Sequence, residues 1–134
     1  MLLTLTWQQI ALRLALASAA SFCIGLDRDR HGKTAGMRTT MLVCLAATLA
    51  MIEANLLLTT AGKTPSSFVQ LDVMRLPLGI LSGIGFIGAG AILRRGEVVR
   101  GLTTAATLWI VTVLGLLFGA GLFASAYLPA SSPS

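Results

Sequence analysis

Few side chains in this sequence could carry out chemistry, and most of these are charged groups beside apolar stretches. Of 134 residues, 10 are Lys or Arg, 5 are Asp or Glu and 1 is a histidine. His31 has no second histidine and no cysteine pair near it, which argues against a metal site. The sequence also lacks a Ser-His-Asp set, carboxylates paired in an enclosed pocket and a phosphate loop. We therefore expect no enzyme activity, no metal and no other cofactor.

Four ionisable residues are expected at a similar depth, near one end of the apolar stretches. They are Arg13, Glu53, Asp72 and Arg75. Ionised groups this close to hydrocarbon seldom stay unpaired. Two acids and two bases predict either a structural clasp or the mouth of a polar path. The clasp is the simpler interpretation, because the apolar stretches supply little beyond Ser, Thr and Cys to line a path. For Arg13 we also expect the guanidinium to extend along the helix to the lipid headgroups.

A second charged cluster follows the first apolar stretch, where Asp27, Arg28 and Asp29 alternate in sign. Arg38 opens the next apolar stretch. A contact between Asp27 and Arg38 would lock the hairpin between the two stretches. The alternative is a solvated turn that touches anionic headgroups.

A glycine-rich segment, GIGFIG at residues 83–88, formally matches the dinucleotide-binding fingerprint. That fingerprint requires a preceding strand and an acid about 20 residues on, and neither is present. The glycines instead predict close helix packing between the third and fourth apolar stretches. A broken helix lining a polar cavity is the alternative. The residues expected in the packing of these two stretches are Gly79, Gly83, Gly85, Gly88, Gly90, Thr103 and Thr104. Trp109, in the fourth stretch, is expected to pack internally or at a subunit contact.

The composition assigns these residues to a membrane protein. Apolar residues make up 55% of the chain and charged residues only 11%, whereas a soluble domain is about a quarter charged. A soluble monomer, a disordered chain and a nucleic-acid-binding arm are thereby excluded. The sequence predicts one domain over residues 1–134, an all-α polytopic membrane helix bundle with four transmembrane spans and a truncated fifth.

The spans follow from the apolar stretches, since about 20 helical residues cross the hydrocarbon. Cys23 and Cys44 lie deep in these stretches and are expected to be free thiols packed between helices. No Lys or Arg precedes Arg13, so we expect no cleaved signal peptide. The predicted spans are residues 10–26, 39–58, 76–93 and 102–118, with a stub at 122–128 and an interfacial segment before residue 10.

The positions of the basic residues predict the orientation. Seven of the ten bases fall in two loops, residues 27–38 and 94–100. Cytoplasmic loops carry an excess of Lys and Arg. We therefore expect these two loops in the cytoplasm, and the N-terminus and the loop around Lys63 outside.

Five motifs in this order are similar to those of a known family. They are GLDRDR at residues 25–30, AGMRTTMLV at 35–43, Asp72 with Arg75, SGIGFIGAG at 82–90 and GLTTAATLW at 101–109. Together they resemble the membrane domain of the MgtC/SapB family of bacterial inner-membrane proteins. The likeness covers about residues 10–125.

The resemblance implies a multi-pass bacterial inner-membrane protein involved in growth at low magnesium and survival inside phagocytes. It also implies a regulator that binds integral membrane proteins, including the rotary ATP synthase. Membrane lipids and a second copy of the chain are further expected partners, and nucleic acid is not.

Relatives commonly have a fifth span, a soluble C-terminal domain and Glu where Asp27 stands. We expect the fifth span to be cut short here and the soluble domain to be absent. Two other functions remain open. One is a small oligomeric ion channel or transporter that uses Glu53 and Asp72. The other is a lipid-binding protein that uses its basic loops.

Overall fold

The structure, a computed structural model, describes residues 7–32, 35–60 and 75–121. Four helices and one short hairpin make up these residues. The elements are α1 (Trp7–Arg30), α2 (Met37–Thr60), α3 (Arg75–Ala91), β1 (Leu93–Arg95), β2 (Val98–Arg100) and α4 (Leu102–Ala120).

Three of the helices are long and apolar enough to cross a membrane, over Trp7–Arg30, Met37–Leu56 and Leu102–Ala120. The fourth, α3, is also apolar but has only 17 residues, about 26 Å of helix. The expected all-α class of membrane helices is therefore confirmed. α1 begins at Trp7, so the interfacial segment predicted before residue 10 is described only from Trp7 on and stays a prediction. The predicted stub at residues 122–128 lies outside the described residues.

The loop expected at residues 94–100 is instead part of a β-hairpin. β1 and β2 pair antiparallel, with Leu93 opposite Arg100. The two-residue turn begins with Gly96 at φ 62°, a backbone conformation that glycine adopts without steric cost. Val98 and Val99 favour extended backbone. The prediction of a loop considered only the basic residues of this segment and did not use the strand preference of the two valines.

α4 is the central packing partner of the bundle. It packs along α2 on one side and α3 on another, while α1 packs mainly on α2. A Cβ added at Gly115 would lie 2.5 Å from the carbonyl oxygen of Cys44, and one at Gly119 would lie 2.5 Å from that of Thr48. The backbones of α2 and α4 can approach this closely only because these two positions lack side chains.

A hydroxyl reinforces this close contact. Thr48 Oγ1 lies 3.0 Å from the carbonyl oxygen of Gly115 on α4 and 2.8 Å from that of Cys44 in its own helix. Cys44 is buried beside Ala17 and Val111. Cys23, by contrast, is exposed, so the expectation that both thiols pack between helices is wrong for Cys23. The apolar stretch of α1 has an outward face as well as an inward one.

Candidate functional site

One end of the bundle is held by a buried arginine. Arg13 on α1 is 9% exposed, and its Nη1 donates a hydrogen bond of 2.8 Å to the carbonyl oxygen of Gly119. Asn55 Nδ2 on α2 donates to the same oxygen at 3.2 Å. Carbonyls in the last turn of a helix lack partners within the helix and carry partial negative charge. Arg13 and Asn55 therefore join three helices at the end of α4.

This arrangement corrects the predictions for Arg13. The side chain turns inward and is buried against a backbone carbonyl, instead of extending along the surface of the helix. In the described part of the chain, Arg13 and Glu53 form no ion pair, and Glu53 is exposed on α2. Arg75 is exposed at the first residue of α3, and Asp72 lies outside the described residues. Arg13 thus binds a backbone carbonyl and not Glu53, and a clasp that involves Asp72 and Arg75 stays a prediction.

The opposite end of α4 meets a second buried arginine. Arg28 on α1 is 5% exposed, and its Nη2 donates a hydrogen bond to Thr104 Oγ1 in the first turn of α4. The Nε–H of Arg28 has no hydrogen-bond partner within the described residues.

The predicted contact between Asp27 and Arg38 is wrong. Asp27 lies 3.5 Å from Nδ1 of His31, four residues along α1, and Arg38 is exposed. The hairpin is closed instead by Asp29, whose Oδ1 accepts a hydrogen bond of 3.2 Å from the backbone N–H of Met37. An acid at the start of α2 is favoured there by the unpaired N–H groups of the helix.

A cavity lies beside the first residues of α4, and we call it the α4 cavity. Its volume is about 400 Å³. Gly101 precedes α4 with φ 88°, and no side chain caps the helix there. The residues that line the cavity include His31, Gly32, Arg100, Gly101, Thr103 and Thr104. Groups of three or more His, Cys, Asp or Glu side chains arranged to hold a metal ion do not occur among the described residues.

The predicted packing of α3 on α4 occurs through one side of α3 only. Ile84 is buried with Leu108 of α4, and a Cβ added at Gly88 would lie 3.4 Å from the Cβ of Ala105. Thr104 is buried, whereas Thr103 is exposed.

The other predicted packing glycines do not contact α4. A Cβ added at Gly79, Gly83, Gly85 or Gly90 would meet no described atom within 4 Å.

Three of these glycines share one face of α3. Gly79, Gly83, Phe86 and Gly90 follow at i, i+4, i+7 and i+11, which aligns them along a helix. Ile84 and Gly88, which pack on α4, fall on the opposite side. Phe86 is 84% exposed. We call this unpacked surface, defined by Gly79, Gly83, Phe86 and Gly90, the open glycine face.

Trp109 is on α4, one turn after Ala105, the residue that meets Gly88. Its side chain is 49% exposed, so the structure does not bury it in the interior of the chain. A subunit contact, the other alternative, remains a prediction for this residue.

Sequence reasoning missed several residues that the structure brings together. Gly115 and Gly119 form a small-xxx-small pair on α4, the same signal that was assigned to Gly79 and Gly83 on α3. Thr104 was predicted to pack on glycine, but it accepts a hydrogen bond from Arg28. Nothing in the local sequence distinguishes these partners, because they come from other helices.

The sequence of this chain is similar to those of known proteins. The MgtC family model matches residues 14–131. YhiD of Escherichia coli (strain K12), named as a candidate magnesium transporter, is 37% identical over 115 residues, which are 86% of this chain and 53% of YhiD. Protein SapB of Bacillus subtilis (strain 168) is 37% identical over 120 residues, 88% of this chain and 50% of SapB.

Protein MgtC of Salmonella typhimurium (strain LT2) is 39% identical over 115 residues, 86% of this chain and 45% of that protein. The chain thus spans about half the length of these relatives. No solved structure matches it. Its apolar helices, its ordered motifs and the match over most of its length agree, and the chain belongs to the MgtC family.

Proposed function

We propose that this chain is a four-span protein of the bacterial inner membrane that binds a transmembrane helix of another integral membrane protein through its open glycine face. In this proposal it is a non-enzymatic regulator that acts during magnesium limitation or virulence-related adaptation. The observation that carries the proposal is the unused space beside Gly79, Gly83 and Gly90.

Glycine inside a helix has a cost. Relative to alanine it destabilises a helix by about 1 kcal/mol per residue. α3 contains five glycines in 17 residues, and in the described chain only Gly88 has a neighbour close to its missing side chain. The other four weaken the helix without improving its packing on α4.

A second helix would use this space, whereas lipid would not. Between transmembrane helices, glycines allow the backbones to approach closely, and van der Waals contact then favours association. Lipid tails gain nothing comparable from glycine, because they fill the space beside any apolar side chain. The open glycine face therefore favours a protein partner in the membrane.

The four-span topology is part of the proposal. α3 is about 26 Å long and falls only a few ångströms short of the hydrocarbon thickness, a mismatch that a bilayer accommodates at modest cost. His31 and Arg100 both line the α4 cavity, so the loop after α1 and the hairpin before α4 lie at the same end of the bundle.

This placement supports one membrane side for both basic loops, which the positive-inside rule assigns to the cytoplasm. A cysteine introduced at Arg30 should react with an impermeant maleimide in inverted vesicles but not in spheroplasts. The reverse labelling pattern would overturn the orientation.

The biological setting rests on the family. The relatives carry the names MgtC and SapB, and YhiD is named for magnesium. The resemblance of the motifs implies the ATP synthase as the first partner to test. Because the chain spans about half of these relatives, the partner of the whole protein is itself part of the proposal.

Transport is the second candidate, because the name of YhiD describes a transporter. An oligomer of this chain would then form the path, with Glu53 and Asp72 as candidate acids. Purified protein in liposomes should pass no Mg²⁺ or protons if the regulator proposal is correct. Flux that disappears in Asp72→Asn would favour transport.

The experiment compares two substitutions on the same helix. Gly83→Leu places a large side chain on the open glycine face, whereas Gly85→Leu places the same side chain elsewhere on α3, also in open space. Tagged variants would be purified from native membranes in mild detergent, and the ATP synthase membrane subunits would be quantified by mass spectrometry. We expect Gly83→Leu to abolish co-purification and Gly85→Leu to retain it. Equal recovery with both variants would contradict the proposal.

A further inference from the structure

The hairpin formed by β1 and β2 leaves apolar side chains open. Val98 is 59% exposed and Val99 is 49% exposed. Each strand has three residues, and no further strand pairs with them in the described part of the chain. A two-stranded hairpin is at best marginally stable in water and gains stability when a face packs against another layer. The hairpin therefore has apolar surface that a further contact would stabilise.

The hairpin is also basic. Residues 93–100 contain one acid, Glu97, and three arginines, Arg94, Arg95 and Arg100, which give a net charge of +2. At the end of α1, by contrast, two exposed acids accompany the one exposed arginine among residues 27–30. The hairpin thus combines open valines with an excess of positive charge, and a partner that fits it is both anionic and able to accept an apolar side chain.

The hairpin lies where a membrane-spanning helix begins. Gly101 alone separates β2 from α4, which is long and apolar enough to cross a membrane. A strand of three residues extends about 10 Å. This length is close to the Debye length, which is about 8 Å at physiological ionic strength. A layer of anionic headgroups at the start of α4 would therefore act on the charge of the hairpin.

The two valines distinguish the faces of the hairpin. Successive residues of a strand point to opposite faces, so Val98 and Val99 differ in direction. Val99 lines the α4 cavity together with His31 at the end of α1, whereas Val98 does not line it. The face with Val98 is therefore directed away from the end of α1. α3, which precedes the hairpin, packs chiefly on α4 at the edge of the bundle, next to surrounding lipid.

We propose that the hairpin docks on the membrane surface, with Val98 among the headgroups of anionic phospholipids. The negative potential of such a surface attracts basic residues next to a membrane span. Arginine suits this layer, because its stem lies along apolar groups while its guanidinium stays with the headgroups. A neutral surface would use the valine but not the charge, so anionic lipid fits both features. This inference is independent of the proposed partner binding by α3.

The first test measures the depth of the two valine positions. The full chain is reconstituted in vesicles of phosphatidylcholine, with or without phosphatidylglycerol. A coumarin amino acid replaces Val98 or, as the matched control, Val99, and its quenching by brominated lipids is recorded. In phosphatidylglycerol vesicles we expect strong quenching and a blue shift at position 98 and little of either at position 99. Quenching at position 98 should decrease without phosphatidylglycerol or at high salt.

The second test needs no label and covers a disturbance of the hairpin by the coumarin. Amide hydrogen exchange of residues 93–100 is compared in the same two lipid mixtures. We expect exchange at least about fivefold slower with phosphatidylglycerol, the factor for about 1 kcal/mol from one arginine near an anionic surface. Arg94→Gln combined with Arg95→Gln should remove this protection, and Arg30→Gln at the end of α1 should retain it.

The outcomes separate lipid docking from its alternatives. Quenching confined to position 98, together with protection that depends on phosphatidylglycerol, supports the proposal. Equal quenching at positions 98 and 99, or none at either, overturns the docked face. Equal exchange in both lipid mixtures, or protection that survives Arg94→Gln with Arg95→Gln, overturns the recognition of anionic lipid.

Discussion

Arg13 and Arg28 reach α4 at opposite ends, one at its last turn and the other at its first. The electrostatic consequences are opposite. Arg13 meets carbonyl oxygens at the negative end of the helix dipole, where a cation is stabilised. Arg28 meets the positive end, where a cation gains stability only through a bound anion or further hydrogen bonds. The same residue type therefore meets the negative end of α4 in one case and its positive end in the other.

The anchoring role of Arg13 gives a stability prediction. Arg13→Gln should lower the free energy of unfolding by about 2 kcal/mol, the size of a hydrogen bond made by a charged group. Asn55→Ala should cost less, about 0.6 kcal/mol, as for an average hydrogen bond between membrane helices. Unfolding in mixed detergent and SDS micelles measures both. A loss for Arg13→Gln no greater than that for the exposed control Arg30→Gln would show that Arg13 is not an anchor.

At the scale of the elements, the glycines of α3 and α4 have different roles. Gly115 and Gly119 are used inside the chain, where α4 contacts the backbone of α2. Gly79, Gly83 and Gly90 are exposed on the far side of α3, away from α4. A glycine pattern therefore marks an internal interface on one helix and an open face on another.

Alanine substitutions should separate these roles. Gly115→Ala places a methyl group 2.5 Å from a backbone oxygen that cannot move aside, and should destabilise the isolated chain by about 2 kcal/mol. Gly85→Ala enters open space and should stabilise it by up to about 1 kcal/mol through helix propensity. The same SDS unfolding assay applies. Equal effects of the two variants would contradict the packing of α4 on α2.

Sequence alone predicted the helices because hydropathy and charge mark where a chain can enter lipid. The predicted start of the first span at Ile10 is close to the observed start of α1 at Trp7. The hairpin and the partners of the buried arginines were not predicted. Arg13 binds a backbone carbonyl that any residue type would supply, and small-residue pairs occur on both α3 and α4. Such a pattern identifies a close-packing face without identifying its neighbour.

At the scale of the whole molecule, α3 occupies the edge of the bundle. It packs chiefly on α4, has little contact with α2, and presents the open glycine face away from α4. A helix at the edge can meet a partner without any rearrangement of the other three. This position is the one that the proposed binding of a partner helix requires.

Photo-crosslinking in native membranes tests this central claim most directly. A benzoylphenylalanine at Phe86, on the open glycine face, is compared with one at Leu42, an apolar residue that is 69% exposed on α2. We expect a discrete protein adduct from position 86, lost when Gly83→Leu is added, and no such adduct from position 42. Lipid adducts alone from both positions, or an adduct from position 86 that survives Gly83→Leu, would contradict it.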